Sequence, residues 1–481
     1  GDGVAAARIL AYRGLPVDIY LIGDSNKATQ EVRAQLEIAE RSGISVRTFG
    51  NETSFAAYTV IIDAIFGIGL ARPVEGLYAQ AVERINESGA YVIAADIASG
   101  VSADDGAVLG TAVRADVTVT FGYRKLGQLL YPGAEYTGRL IAADIGFPPF
   151  AVSRVCGGER GGYAVLWTED AGLLPARYAD SNKGSYGRVL ICAGSASVCG
   201  AAYLSAAAAY HTGAGLVRIL TEKANYTALA GLLPEALLTC YEEERLAAGD
   251  PGSLALVREA ADWCDVAVLG PGIGTGRSGE VLTDIVLERL AYRNAGAGKG
   301  GIRRACVADA DALNLLSGRL GEGAGASERI AQLARLLPES TVITPHPKEL
   351  SRLLGMPVSK IRESITDVAD LCTADNDLIY VLKDARTITA WRRMRLVNTA
   401  GNEGMATGGS GDVLTGIIAA LIAGGCKPFE AAGLGVYLHA RAGDAAAKEL
   451  SGRYMTAGDI IRYLSGVLKE SQMYKEGERR Q

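Results

Sequence analysis

Along the first half of the chain, compact apolar runs alternate with longer stretches of helical spacing. The runs Val17 to Ile22, Val60 to Ile65, Tyr91 to Asp96 and Val117 to Phe121 are rich in β-branched residues; the first three are apolar but for one acid each, and the fourth interleaves threonine. Such runs predict strands buried on both faces, and their alternation with helices predicts a parallel sheet covered by helical layers. In Val60 to Ile65 and Tyr91 to Asp96 the acid stands toward the carboxyl end of the run. This places Asp63 and Asp96 at strand carboxyl ends, the edge where open α/β sheets bind ligands.

The pattern breaks at Gly146-Phe147-Pro148-Pro149 and resumes near Gly187. The break predicts a first domain over 1–147, a linker over 148–165, a second domain over 166–470 and a polar, frayed tail over 471–481. In the second domain strands are expected at Val189 to Ala193, Leu216 to Leu220, Val266 to Leu269, Ala305 to Ala308, Thr341 to Thr344 and Leu378 to Leu382. Helices are expected from the glycine-rich Gly408 to Asp412 through Ala423, and again from about Pro428 to Ala447.

A length of 481 residues is enough for at least two hydrophobic cores. With 49% apolar and 21% charged residues, the chain reads as folded rather than disordered. Net charge is −6 and basic residues form no long run, so neither a nucleic-acid nor a membrane surface is expected. The eight cysteines are scattered without a C-x-x-C pair and there are three histidines, His211, His346 and His439, so no zinc site is expected and the thiols read as reduced. The longest apolar stretch, Val413 to Ala423, is broken by Thr415 and Gly416 and is far shorter than the ~20 residues that span a bilayer. The opening Gly1-Asp2-Gly3, with no initiator Met and no basic n-region, predicts a chain without signal peptide, lacking its natural beginning, and cytoplasmic.

In the first half, Gly1-Asp2-Gly3 leads directly into a helix, and a glycine-rich turn at a helix start offers N–H groups to an anion such as phosphate. Phe66-Gly67-Ile68-Gly69 after Asp63 is a second glycine-rich loop, either a plain βα turn or a place where backbone meets ligand. Asp96-Ile97-Ala98-Ser99-Gly100 is a third strand-end loop, and Asp63 with Ser99 offers hard oxygen donors suited to a monovalent cation. Together with Thr118-Val119-Thr120-Phe121-Gly122 and Lys125, these strings resemble the NAD(P)H-hydrate epimerase domain, a Rossmann-like three-layer parallel sheet. The resemblance implies that Asp96 and Lys125 handle protons at the hydrated nicotinamide, that Asp63 and Ser99 bind K+, and that Gly1, Asp2, Gly67, Ile68 and Gly69 border the substrate. The family's Asn-Asn-Gly run, which precedes the Gly-Asp-Gly there, is not among these residues.

In the second half, Thr407-Gly408-Gly409-Ser410-Gly411-Asp412 is the most informative string. Three glycines at a helix start let consecutive N–H groups converge on an oxyanion, and Asp412 is placed to take a proton from a hydroxyl. It is not a Walker P-loop, because no Lys-Ser or Lys-Thr follows. Gly270-Pro271-Gly272-Ile273-Gly274, Asp309-Ala310-Asp311, Thr344-Pro345-His346 and Lys383 all follow expected strands and should border one crevice. With Lys183 to Leu190 and Thr212 to Val217, this order of motifs resembles the ribokinase-like superfamily and, within it, the ADP-dependent NAD(P)H-hydrate dehydratases. Fusion of both halves is similar to the bifunctional NAD(P)H-hydrate repair enzymes of bacteria.

That resemblance implies contacts to hydrated cofactor from Ala201, Gly272, His346 and Asp412, and to adenine nucleotide from Lys383, Asp384, Ala385, Arg386, Thr387 and Gly411. Gly274, Gly408, Gly409 and Ser410 are expected to be cofactor-binding as well. The implied reaction is ADP-dependent dehydration of the S hydrate to NAD(P)H, AMP and phosphate, with Mg2+ on the nucleotide, after epimerisation of R and S hydrates by the first half. The expected partners are these small molecules and further copies of the chain. The alternative is a small-molecule kinase of the same superfamily, acting on a vitamin alcohol, with a non-catalytic binding module in front.

Overall fold

The computed structural model describes residues 1–23, 28–156, 162–164, 174–175, 177–296, 304–321 and 323–478. It divides into two compact units, Gly1–Val155 and Cys156–Gln481. In the first unit a parallel pair, β1 (Asp18–Leu21) and β2 (Ser45–Thr48), stands beside a parallel quartet in the order β3 (Val60–Asp63), β4 (Tyr91–Ala95), β5 (Val117–Phe121) and β6 (Arg139–Ala143). One sheet was expected, whereas the hydrogen-bonded ladder is divided. Between the two ladders the rings of Tyr20, Phe55 and Tyr58 pack edge to face, so side chains rather than backbone bonds join them.

The second unit is built on one ten-stranded sheet. Its strands in chain order are β7 (Gly162–Ala164), β8 (Arg188–Cys192), β9 (Leu216–Glu222), β10 (Leu237–Tyr241), β11 (Val266–Leu269), β12 (Ala305–Ala308), β13 (Val342–Ile343), β14 (Ile379–Leu382), β15 (Ile388–Trp391) and β16 (Met394–Val397). In space they run β10-β9-β8-β11-β12-β13-β14-β15-β16-β7. Every pair from β10 to β14 is parallel, so these strands end at one edge; β15 and β16 are antiparallel additions. The central strands are buried along their whole length, as the unbroken apolar runs predict. Helices Gly200–Thr212 and Ser410–Ala423 pack on the sheet and on each other. Their closeness requires small residues: a Cβ on Gly416 would fall 2.1 Å from the carbonyl oxygen of Ser205.

Two expectations are corrected. The 148–165 segment carries a helix, Pro149–Cys156, and the edge strand β7, which pairs with β16; 157–161 and 165 lie outside the described residues. A proline suits the first turn of a helix, so Pro149 begins one, and the boundary between the two units, at Val155 and Cys156, falls within this segment. The 471–481 tail is helical through Glu478, continuing the helix from Ala457, and 479–481 lie outside the described residues. Among the described residues no helix is long and apolar enough to cross a membrane. Cys192, Cys264, Cys306 and Cys372 are buried free thiols, and burial pushes Cys264, Cys306 and Cys372 up to about 12.

Candidate active sites

The carboxyl edge of β3 and β4 carries the first cluster. Asp63, the last residue of β3, is buried, and its carboxylate accepts hydrogen bonds from the Ser99 hydroxyl (2.6 Å) and the Ser99 backbone N–H (2.8 Å). Ser99 Oγ in turn accepts from Phe66 N–H at 2.9 Å, which ties the Phe66 to Gly69 loop to the next strand end. Burial raises the Asp63 pKa despite these bonds. Gly3 approaches Ala64 closely, so the Gly1–Gly3 turn lies at the same edge, whereas Gly67 to Gly69 stands open and Ile68 is exposed.

Asp96 follows β4 with φ of +68°, a left-handed conformation unfavourable for a side-chain-bearing residue. Its carboxylate accepts from Phe121 N–H (2.9 Å) and Thr120 Oγ1 (3.1 Å) and pairs with the Lys125 ammonium. Lys125 Nζ also donates to Thr120 Oγ1 (2.8 Å) and the Phe121 carbonyl (3.2 Å). The acid and the ammonium are locked together and mostly shielded from water.

In the second unit, glycines and acids gather at the carboxyl edge of β8 and β11–β14. Gly409 caps the Ser410–Ala423 helix at φ of +88°, a conformation that favours glycine, so the chain turns sharply and aims the first helical N–H groups outward. Asp412 sits in the first turn with its carbonyl held by Thr415 Oγ1 (2.7 Å) and Ser205 Oγ (3.0 Å). Its carboxyl pKa is pushed up to about 7, first by burial, then by the neighbouring Asp309, against the pull of Lys383. Asp309 caps the end of β12 and is ion-paired with Lys383 at the end of β14, 2.7 Å apart. A Cβ on Gly411 would lie 3.3 Å from Asp309 Oδ2 and 3.4 Å from Lys383 Nζ, so this pair lies beneath the glycine-rich helix start.

His346, after β13, caps the next helix through Nδ1 and holds Glu349 Oε1 3.3 Å from Nε2. Burial, then Lys383, lowers its pKa, so the ring is neutral near pH 7. Gly274 N–H is bound by Asp311 (2.9 Å), and Gly272 approaches Ala201. Thus Ala201, Gly272, Gly274, His346, Lys383, Gly411 and Asp412 come to one sheet edge. Asp384 is drawn to the side by Arg362 (3.1 Å), which offsets its negative charge beside the crevice, and the Arg386 guanidinium bonds the Thr399 carbonyl.

Asp309, Asp311 and Thr120 stand inside sequence motifs that attach no role to them, and no motif points to Gln128 or His439. Ser410 Oγ lies 3.2 Å from Nε2 of buried His439, whose pKa burial lowers to about 4. In the sequence His439 is marked only by its rarity, as one of three histidines.

A parallel sheet that gathers a lysine, a shielded acid and a glycine-rich helix start at its carboxyl edge defines an α/β enzyme for phosphorylated ligands. Residues 189–465 match the family profile described as NAD(P)H-hydrate dehydratase, and residues 1–127 match that described as YjeF-related protein N-terminus. The bifunctional NAD(P)H-hydrate repair enzyme of Thermofilum pendens is 37% identical over 98% of this chain and 85% of its own length. That of Moorella thermoacetica is 36% identical over the same shares. Among solved structures, the ADP/ATP-dependent NAD(P)H-hydrate dehydratase from Bacillus subtilis, co-crystallized with ATP and Mg2+, is 27% identical with a TM-score of 0.51 and covers 64% of this chain and 98% of that one. The chain belongs to the family of bifunctional NAD(P)H-hydrate repair enzymes.

Proposed function

We propose that the chain repairs hydrated NADH and NADPH. The first unit interconverts R and S hydrates, and the second dehydrates the S hydrate with ADP. The observation that carries this reading is Asp412: a carboxyl with a pKa pushed up to about 7 in the first turn of a glycine-rich helix start, beside the ion pair of half-buried Lys383 and buried Asp309. Such a group is half ionised at neutral pH and can accept a proton from a substrate hydroxyl.

Hydroxide is a poor leaving group, so the hydrate must first be activated. Asp412 takes the proton of the ring hydroxyl, whose oxygen attacks the β-phosphorus of ADP while the bond to AMP breaks. The Gly408 to Gly411 amides hold the developing charge, and departure of phosphate with the ring oxygen, together with loss of a proton from the adjacent ring carbon to solvent, restores the nicotinamide double bond. Lys383 balances phosphate charge, and His346, Gly272 and Ala201 border the hydrated ring. Asp309 and Asp311 lie close enough to Asp412 to raise its pKa, and among the described residues no three metal-ligating side chains converge. This set fits Mg2+ carried mainly by phosphate oxygens, where the ion neutralises their charge.

In the first unit Asp96 and Lys125 move the protons of epimerisation. The buried Asp63 carboxylate has no charged partner among the described residues, and its neighbour is a hydroxyl; this donor set fits K+. A kinase with a non-catalytic first domain is not favoured, since both halves match parts of one repair-enzyme family. With hydrated NADH and ADP, absorbance at the reduced-nicotinamide band should return with one AMP and one phosphate per molecule repaired. A stable phosphorylated product without that return would reject the dehydratase reading.

A further inference from the structure

Asp96 is held in its left-handed conformation on all sides. Its N–H donates to the Val119 carbonyl (2.8 Å) and its carboxylate is bound by Phe121 N–H, Thr120 and Lys125. The remaining polar group is its backbone carbonyl, which accepts from the side-chain amide of Gln128 at 2.5 Å. The other end of the same side chain accepts from the backbone N–H of Lys125 at 2.9 Å.

A glutamine three residues into a helix that reaches back to the capping N–H is an ordinary helix-start feature. The contact across 32 residues to the Asp96 carbonyl is not. Gln128 is buried, so neither end of its amide has water as an alternative partner. It joins the backbone of the acid to the backbone of the lysine, and the two ends of one rigid planar group fix their separation. A left-handed aspartate is disfavoured and is retained where its surroundings fix it.

We propose that Gln128 is a positioning residue for epimerisation: it holds Asp96 in its left-handed conformation and sets the register of Lys125 against it. This rests on the assignment of Asp96 and Lys125 as the proton-handling pair. Without the amide, Asp96 relaxes toward ordinary backbone angles, its carboxylate turns from the position met by the substrate, and proton transfer slows while hydrate binding is retained.

The test compares Gln128→Met, of similar length but unable to bond, with Gln128→Glu, which keeps an oxygen for Lys125 N–H but loses the amide donor. Epimerisation by the full chain is measured with R hydrate, alongside Asp96→Asn. Both Gln128 variants should lower kcat at least tenfold, leave KM within about twofold, and raise the solvent deuterium isotope effect on kcat, because proton transfer becomes limiting. A smaller folded fraction alone would leave the isotope effect unchanged. If Gln128→Met is too unstable to assay, Gln128→Glu decides. Turnover within twofold of wild type, or reduced turnover with an unchanged isotope effect, overturns the proposal while Asp96→Asn is inactive. An active Asp96→Asn would instead overturn the assignment of the pair itself.

Discussion

The chemistry of the second unit depends on how three charges share one sheet edge. Asp412 has its pKa raised to about 7, and Asp309 is the neighbouring charge that adds to the effect of burial. A base must be ionised to act, so dehydration should fall as pH drops through about 7. Asp309→Asn removes the like charge and leaves Lys383 uncompensated; both changes lower the pKa of Asp412. The acid limb of kcat/KM should therefore move to lower pH, on the order of one unit, so that the variant keeps a larger share of its maximum at pH 6. A limb that stays in place would show that Asp309 does not tune the base. The place of Asp412 in the first turn of a helix was legible because glycine-rich helix starts are unusual strings. Asp309 was visible as part of a motif, but its meaning comes from a contact with Lys383 across 74 residues, which no local pattern carries.

At the scale of elements, strands buried on both faces were read directly: β11 and β12 match the continuous apolar runs residue for residue. β2 was not, because Ser45-Val46-Arg47-Thr48 holds a single apolar residue, and β6 was not although Leu140 to Ala143 is a short apolar run, whose residues are exposed or half-buried. The antiparallel β15 and β16 were likewise missed, since the sequence beyond Leu382 shows Arg392 and Arg393 at the tight turn between them. The loops after β3 and β4 were legible as a pair of oxygen donors, and they come together at 2.6 Å through Ser99 and Asp63. If these loops hold K+, epimerisation should be faster with potassium than with sodium. Ser99→Ala should then raise the potassium concentration needed for half-activity by about tenfold, the effect of losing one ligand-scale interaction. Equal activity in both salts, before and after the substitution, would reduce the two residues to a loop tie.

For the whole molecule, division into two units predicts separable activities. The segment between Gly146 and Gly187 read as a break because of its prolines, yet β7 within it completes the edge of the larger sheet beside β16. A fragment from Cys156 onward, which keeps that strand, should fold cooperatively and dehydrate S hydrate with ADP. It should consume R hydrate only at the rate of spontaneous epimerisation, because Asp96 and Lys125 lie in the other unit. Rapid use of both epimers by the fragment would give the first unit a different task.

The account stands or falls on one group in that second unit. The most direct measurement is the initial rate of absorbance return at the reduced-nicotinamide band, from S-hydrated NADH and saturating ADP, for wild type and Asp412→Asn at pH 8, with ADP binding measured in parallel. Loss of a general base should slow the reaction about 100-fold or more while ADP still binds. A variant that binds ADP and repairs the hydrate at close to the wild-type rate would contradict the assignment of Asp412 as the base.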